Sequence, residues 1–459
     1  MSKLWEKAYT LDALIEAFTV GDDYLLDARL VNADCVASMA HAAMLAKIGI
    51  LKPAELEGLK RELSGIVALN DKGRFIIQRS DEDAHTAIEN HLTAALGDAG
   101  KRIHTGRSRN DQVNVAIRLW AKGFLFEFQK ACLALAARLL DLAQAHAKTP
   151  MPGRTHMQIA MPSSVGLWAG ACAEELLDDV RLARGAYSLI DSCPLGSAAS
   201  YGVPLPLDRE LVASLLGFAR VQNNVLYAAN SRGKFEAVVL EAVEQTALTL
   251  SKLAQDLILY SMPEFGYFTL PPELCSGSSI MPQKHNPDVL ELARAKSASI
   301  FADLAAIKGV IRALPSGYNR DFQETKGPFF RGCESGLAIV RVMDLTVSKL
   351  VVNPDKLRAG FTPEIFATDE ALELAGKGVP FREAYREVGQ HLDKLGKRDP
   401  VEAIARKTST GATGNLRLDI PKQASQAFSA EVQKEETFTR ERIASLAGRE
   451  VELFRDPLR

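Results

Sequence analysis

The sequence predicts a mainly α fold of three helical units, the central one a bundle of long helices. Apolar residues recur at helical spacing through long segments free of proline. One of these segments keeps a heptad spacing, the mark of a helix seam. No run of alternating β-branched residues between turn signals reads as a sheet. At 459 residues the chain has room for a large core and more than one unit.

Taken in order, residues 1–109 are punctuated at Gly49, Pro53, Gly97 and Gly100 and read as shorter helices. The central unit, 110–360, opens with a helix over 113–148, stopped by Pro150 and Pro152. A second helix, over 165–191, carries its stripe through Cys172, Leu176, Val180, Ala183 and Tyr187. The third follows Val239, Val243, Thr246, Leu250, Leu253, Leu257 and Tyr260, a spacing that suits a bundle core or a subunit interface equally. A fourth starts near Pro287, where proline fits the first turn, and runs towards Ala313. The last unit, 361–459, follows Pro354 and Pro363 and again reads as shorter helices.

Composition narrows the function classes. With 55 Lys+Arg against 57 Asp+Glu, the net charge of -2 provides no basic field for nucleic acid or anionic lipid. The start, Met-Ser-Lys-Leu-Trp-Glu-Lys, lacks the apolar run of a signal peptide, and no stretch suits a membrane span, so a cytoplasmic location is expected. Six scattered cysteines form no C-x-x-C pair and no zinc-type Cys/His cluster, so they are expected to be reduced; Cys275 stands out beside a Gly/Ser loop. No phosphate-cradling or dinucleotide-binding glycine motif is present.

Four segments carry chemistry. In SGSSIMPQKHNPD, 276–288, Gly277 gives a mobile backbone, and Lys284 and His285 add positive charge before a helix start. Such a loop can close over an anion, ease the ionisation of a serine hydroxyl and stabilise a developing carboxylate dianion. GRTHMQ, 153–158, implies a turn presenting Thr155, a donor, and His156, which titrates near neutrality. HTGRSRNDQ, 104–112, masses donors on Arg107, Ser108, Arg109 and Asn110 before a helix, a set suited to carboxylates. YNRDFQETK, 318–326, combines Tyr318, Gln323 and Lys326 in a polar turn.

Together these segments resemble a known family. GSSxMPxKxNP is similar to the signature of the fumarase and aspartase superfamily, whose lyases eliminate fumarate from a succinyl group. TGRSRNDQ and YNxDxQExK resemble the argininosuccinate lyase and δ-crystallin branch, with further support from EDAH at 82–85, PLGS at 194–197, ATD at 367–369 and VPFREA at 379–384. The resemblance implies argininosuccinate as substrate, arginine and fumarate as products, and no metal or cofactor. By resemblance Ser278 is the base, and Thr155, His156 and Gln158 surround the carboxylates and the departing nitrogen. Lys284 and Asn286 stabilise the dianion, and Glu291 orients His156. Asp27, Ser108, Arg109, Asn110, Tyr318, Gln323 and Lys326 bind substrate. The family assembles as a homotetramer whose long helices form a common core and whose sites are shared between subunits.

Three places depart from the family pattern. The usual LWGGRF reads LWEKAY at 4–9; an Asn-x-Ser stretch reads Thr-Val-Gly-Asp-Asp at 19–23; and an Arg-Asp pair after a serine gives way to Arg232, Gly233 and Lys234. These departures touch the arginine half of the site rather than the fumarate half. A lyase acting on another N-succinyl amine, and a δ-crystallin-like structural protein without turnover, therefore stand as alternatives.

Overall fold

The computed structural model describes residues 12–458, so the 4–9 departure lies outside the described residues. The amino-terminal part contains α1 (Val31–Lys47), α2 (Pro53–Asp71) and α3 (Ala84–Leu96). Then comes the long α4 (Arg109–Ala145), which Ser108 and Asp111 start with a reciprocal capping box. A two-stranded antiparallel hairpin, β1 (Pro150–Thr155) and β2 (Gln158–Ser164), turns the chain back into α5 (Val165–Ile190). The bundle continues through α6 (Lys234–Ser261), α7 (Asp288–Ile311) and α8 (Lys326–Ser348). Helices α9 (Ala367–Gly376) and α10 (Phe381–Gln390) follow, and α11 (Asp419–Ala447) returns along the bundle.

The four helices expected from periodicity are present within a few residues of their expected limits. Thr246 and the other heptad positions of α6 are buried inside the chain itself, so this seam is bundle core and not a surface held for a partner. Helix α8 is a fifth long member that periodicity does not single out. Pro328 and its glycines look like breakers, yet Pro328 falls in the first turn, where its missing N–H costs nothing. Gly332 and Gly336 let α8 approach α6: a Cβ at Gly336 would overlap a methyl of Val243.

The expectation of short flanking helices is corrected. Helices α1 and α2 run 17 and 19 residues, and α11 runs 29. The buried face of α11 includes Ser425, Glu436 and Thr439 beside Val432, Ile443 and Leu446, which dilutes the apolar stripe that would announce its length. One continuous core extends from Leu30 to Phe454, and Ala371, Ala384 and Val388 centre a small separate one. Trp120, Phe124, Phe329, Phe330 and Phe454 form the aromatic heart of the large core.

The up-and-down path gives the bundle two ends. Gly233, Ile311 and Thr325 meet at one, where α6 begins and α7 finishes. At the other, Arg154 of the hairpin lies over Phe265, just past α6. At 1.5 Å per residue, the 28 residues of α6 hold these ends roughly 40 Å apart.

Candidate active site

The first end gathers most of the expected substrate-binding residues. Lys326, at the start of α8, is only 2% exposed, and its Nζ lies 2.6 Å from Asp27 Oδ1 and 2.5 Å from Asp23 Oδ1. Burial pushes Asp23 up to about 6 against the pull of Lys326, because the second carboxylate, Asp27, adds repulsion. Asp27 Oδ2 accepts the backbone N–H of Ala84, tying this triad to the EDAH segment. Gln323 and Arg320 donate to the carbonyl of Thr19, so the 318–326 turn is fastened to the altered 19–23 segment.

Arg109 comes from the start of α4 and reaches the same segment. Its guanidinium lies 3.0 Å from Asp83 and 3.2 Å from Glu82, and donates to Thr86. Ser108 Oγ accepts from Asn110 N. Asp111 Oδ2 accepts the N–H groups of Gly196 and Ala198, which fixes the PLGS segment against the helix start. Arg232, from the third departure, is buried with its charge over the rings of Tyr318 and Phe322. Its Nε has no hydrogen-bond partner among the described residues. Arg232 therefore points its charge into this cluster.

The second end holds the residues expected to do the chemistry. His156 and Met157 form the hairpin turn with φ of 53° and 63°. Two successive left-handed residues between antiparallel strands make the type of tight turn that matches strand twist. Thr155, His156 and Gln158 are all exposed at its tip, and Met157 beside them is 60% exposed.

In the 276–288 loop, Ser276 and Asn286 pair through both backbone N–H groups, closing the base. Ser278 Oγ accepts from Met281 N at 3.1 Å and Ile280 N at 3.3 Å. Two amide donors converging on one hydroxyl oxygen favour its alkoxide over its neutral form. Lys284 is exposed, Asn286 is half-buried, and Ile280 is 83% exposed, so the loop stands open. Glu291 lies exposed in the first turn of α7, and no hydrogen bond joins it to His156 among the described residues. Burial and Asp288 push the Cys275 thiol up, the opposite of nucleophile activation.

The structure thus brings Asp27, Ser108, Arg109, Asn110, Tyr318, Gln323 and Lys326 to one end. Thr155, His156, Gln158, Ser278, Lys284, Asn286 and Glu291 lie at the other. Asp23, the second carboxylate on Lys326, is the neighbour that sequence reasoning misses. Its signal was present, since Asp23 and Asp27 stand four residues apart on one helical face.

Comparison with known proteins identifies the family of the chain. Residues 6–302 match a family model described as lyase. The argininosuccinate lyase of Sorangium cellulosum (strain So ce56) is 48% identical over 417 residues, covering 91% of this chain and 97% of that protein. That of Stenotrophomonas maltophilia (strain K279a) is 46% identical over 428 residues, covering 93% and 99%. The crystal structure of EDDS lyase in complex with formate shares the fold, with a TM-score of 0.79 at 22% identity and 96% coverage of both chains. The chain belongs to the argininosuccinate lyase family, carbon–nitrogen lyases within the fumarase/aspartase superfamily.

Proposed function

We propose that the protein cleaves argininosuccinate by β-elimination into arginine and fumarate, in cytoplasmic arginine biosynthesis. The observation that carries this reading is the retention of TGRSRNDQ, GRTHMQ, SGSSIMPQKHNPD and YNRDFQETK together in a chain 48% identical to a named argininosuccinate lyase. Among the described residues no helix is long and apolar enough to cross a membrane.

In this mechanism Ser278 Oγ takes the proton from the carbon next to a succinyl carboxylate, and the electron pair moves into that carboxylate to give a dianion. Lys284, Asn286, Thr155 and the amino-terminal turn of α7 stabilise that charge. The pair then returns to form the double bond as the C–N bond breaks. His156, oriented by Glu291, supplies the proton to the departing guanidino nitrogen, directly or through water. Gln158, Asp27, Ser108, Arg109, Asn110, Tyr318, Gln323 and Lys326 hold the substrate. Closure of 276–288 excludes water, with Gly277 as hinge; a Cβ there would meet nothing within 4 Å.

The roughly 40 Å between the two residue groups supports sites completed by neighbouring subunits of a homotetramer. Leu182, Leu248, Leu292 and Phe301, exposed on the bundle helices, supply apolar surface for such an assembly. In this reading the chain divides into 1–109, 110–360 and 361–459.

A second reading, a lyase for another N-succinyl amine, is favoured by Asp23 on Lys326 and Arg232 over Tyr318, both products of the departures. The deciding experiment follows the ultraviolet absorbance of fumarate with argininosuccinate, adenylosuccinate and aspartate as separate substrates. Turnover confined to argininosuccinate, and lost in Ser278→Ala, is expected. Silence with argininosuccinate from folded protein overturns the named substrate, and silence with every succinyl amine leaves a structural role.

A further inference from the structure

The hairpin that presents Thr155, His156 and Gln158 is weakly held by its own ladder. It pairs with no third strand among the described residues, and an isolated two-stranded hairpin is marginal in water. Pro152 stands opposite Pro162. Neither residue has an N–H, so this level of the ladder cannot exchange the usual pair of backbone bonds. The register then slips between Pro152 and Arg154. Gly153 fills the slip, where a Cβ would overlap the carbonyl oxygen of Met161. His156 lies four residues beyond Pro152, roughly 13 Å along the strand. A tilt of about 5° at this level therefore swings the tip by about 1 Å.

Support from the carboxy-terminal part reaches this level. Lys407 Nζ donates to the carbonyl of Pro162 at 2.7 Å. The backbone of Lys407 is itself fixed by the turn after the short helix Pro400–Ala405. There the buried Thr413 Oγ1 donates to the Ile404 carbonyl at 2.7 Å, and Gly414 N donates to the Lys407 carbonyl at 2.9 Å. A Cβ at Gly414 would crowd the carbonyl oxygens of Ala405 and Lys407, so the turn closes only with glycine in that place. Asp369 Oδ1 lies 3.9 Å from Lys407 Nζ, with the two side chains 16% and 23% exposed. Burial lowers the proton affinity of the Lys407 ammonium, and Asp369 opposes that. Asp369 stands in the first turn of α9 and is the acid of the ATD segment, which the mechanism above leaves without a role.

We infer that Lys407, held by Asp369, is a positioning residue for the reaction: it fastens the hairpin beside its bulge and so sets where Thr155, His156 and Gln158 stand against the substrate. Lys407 touches no reacting atom. The ATD segment joins the site as the anchor of this fastening, and the small unit centred on Ala371, Ala384 and Val388 gains a route to the chemistry. On the other strand Arg154 rests on Phe265 and donates to the Met157 carbonyl, so the hairpin is gripped from both sides. The inference rests on the proposed function for the identity of the reaction, and not for the fastening itself.

The test compares the full-length parent with Lys407→Met, Lys407→Arg and Asp369→Asn, by hydrogen–deuterium exchange read in a mass spectrometer and by fumarate release from argininosuccinate. Lys407→Met keeps the stem and removes the donor. Exchange should quicken in peptides covering 150–164, and kcat should fall roughly 10–100-fold, the cost of a misplacement of about 1 Å. KM should change less, because the rest of the substrate is held by residues from the other end of the bundle. Asp369→Asn should move both readouts the same way by a smaller amount, and Lys407→Arg, which keeps a donor, should retain most of kcat. A residue that only stabilises the fold would lower the melting midpoint and leave kcat of the folded enzyme unchanged. Unchanged exchange at 150–164 in Lys407→Met overturns the fastening. Quicker exchange with unchanged kcat, or a kcat that Lys407→Arg fails to preserve, overturns its role in positioning. Silence of the parent towards argininosuccinate overturns the named substrate instead, and exchange, which needs no substrate, still decides the fastening.

Discussion

Replacing Lys326 by methionine tests whether the charged triad at the first end is a buried unit. The substitution preserves much of the side-chain volume but leaves Asp23 and Asp27, whose side chains are 14% and 2% exposed, facing each other without their cation. Removing one partner from a buried ion pair costs about 3–5 kcal/mol. The cost should also depend on pH with a definite sign. Burial already raises Asp23 from 3.8 to about 6, and Lys326 is the strongest influence holding it down. An acid raised in the folded state contributes stability fully below its unfolded value, and loses it as pH rises through the folded value. In the parent this amounts to about 3 kcal/mol, at about 1.4 kcal/mol for each tenfold change in proton affinity. Without Lys326 the folded value of Asp23 climbs further, so the deficit relative to the parent is smallest near pH 5 and grows towards pH 8. Urea denaturation of both proteins at these two pH values and one protein concentration measures it. A deficit below about 1 kcal/mol, or the same deficit at both pH values, would falsify the buried triad and make Lys326 a solvated group free to move onto substrate.

Two other perturbations address packing and assembly. Gly336→Ala places a methyl into the stiff, β-branched Val243 where α8 crosses α6, and should cost about 1–3 kcal/mol in a thermal or urea melt; an unchanged midpoint would mean that the crossing has slack. Mixing Ser278→Ala with Arg109→Ala protein, one lesion at each end of the bundle, under conditions in which subunits are shown to exchange, should restore part of the lost turnover. No recovery despite exchange would rule out sites shared between subunits.

Most of the architecture was legible because four bundle helices advertise a continuous apolar stripe, and the seam of α6 from Val239 to Tyr260 does so at heptad spacing. What stayed hidden was hidden by chemistry that serves packing. The glycines of α8 read as breakers although Gly332 and Gly336 are there to permit a close crossing. On α11, Glu436 is buried beside Lys130, so a core position presents a charge to anyone reading the pattern. The candidate site residues stood out as local motifs, and GRTHMQ was correctly placed on a turn. Their partition between two ends could not be read that way, since it depends on how many times the chain traverses the bundle between motifs. Nor could Lys326 be seen as paired with two acids roughly 300 positions earlier, because periodicity reports on one element at a time.

That partition gives the long helices a functional meaning beyond holding a core. A chain whose proposed binding residues and proposed catalytic serine stand roughly 40 Å apart cannot close one substrate molecule between them by any loop movement, since the 276–288 loop, even fully extended, hangs from a stem fixed at the second end. Antiparallel association of two bundles removes the difficulty, because it sets the first end of one subunit beside the second end of another without bending any helix. The protomer's apolar core is continuous within the single chain from Leu30 to Phe454, so its helices do not need a partner to be buried. In the proposed tetramer, assembly therefore governs catalysis more directly than folding, and dissociation should silence turnover while leaving most helical structure in place.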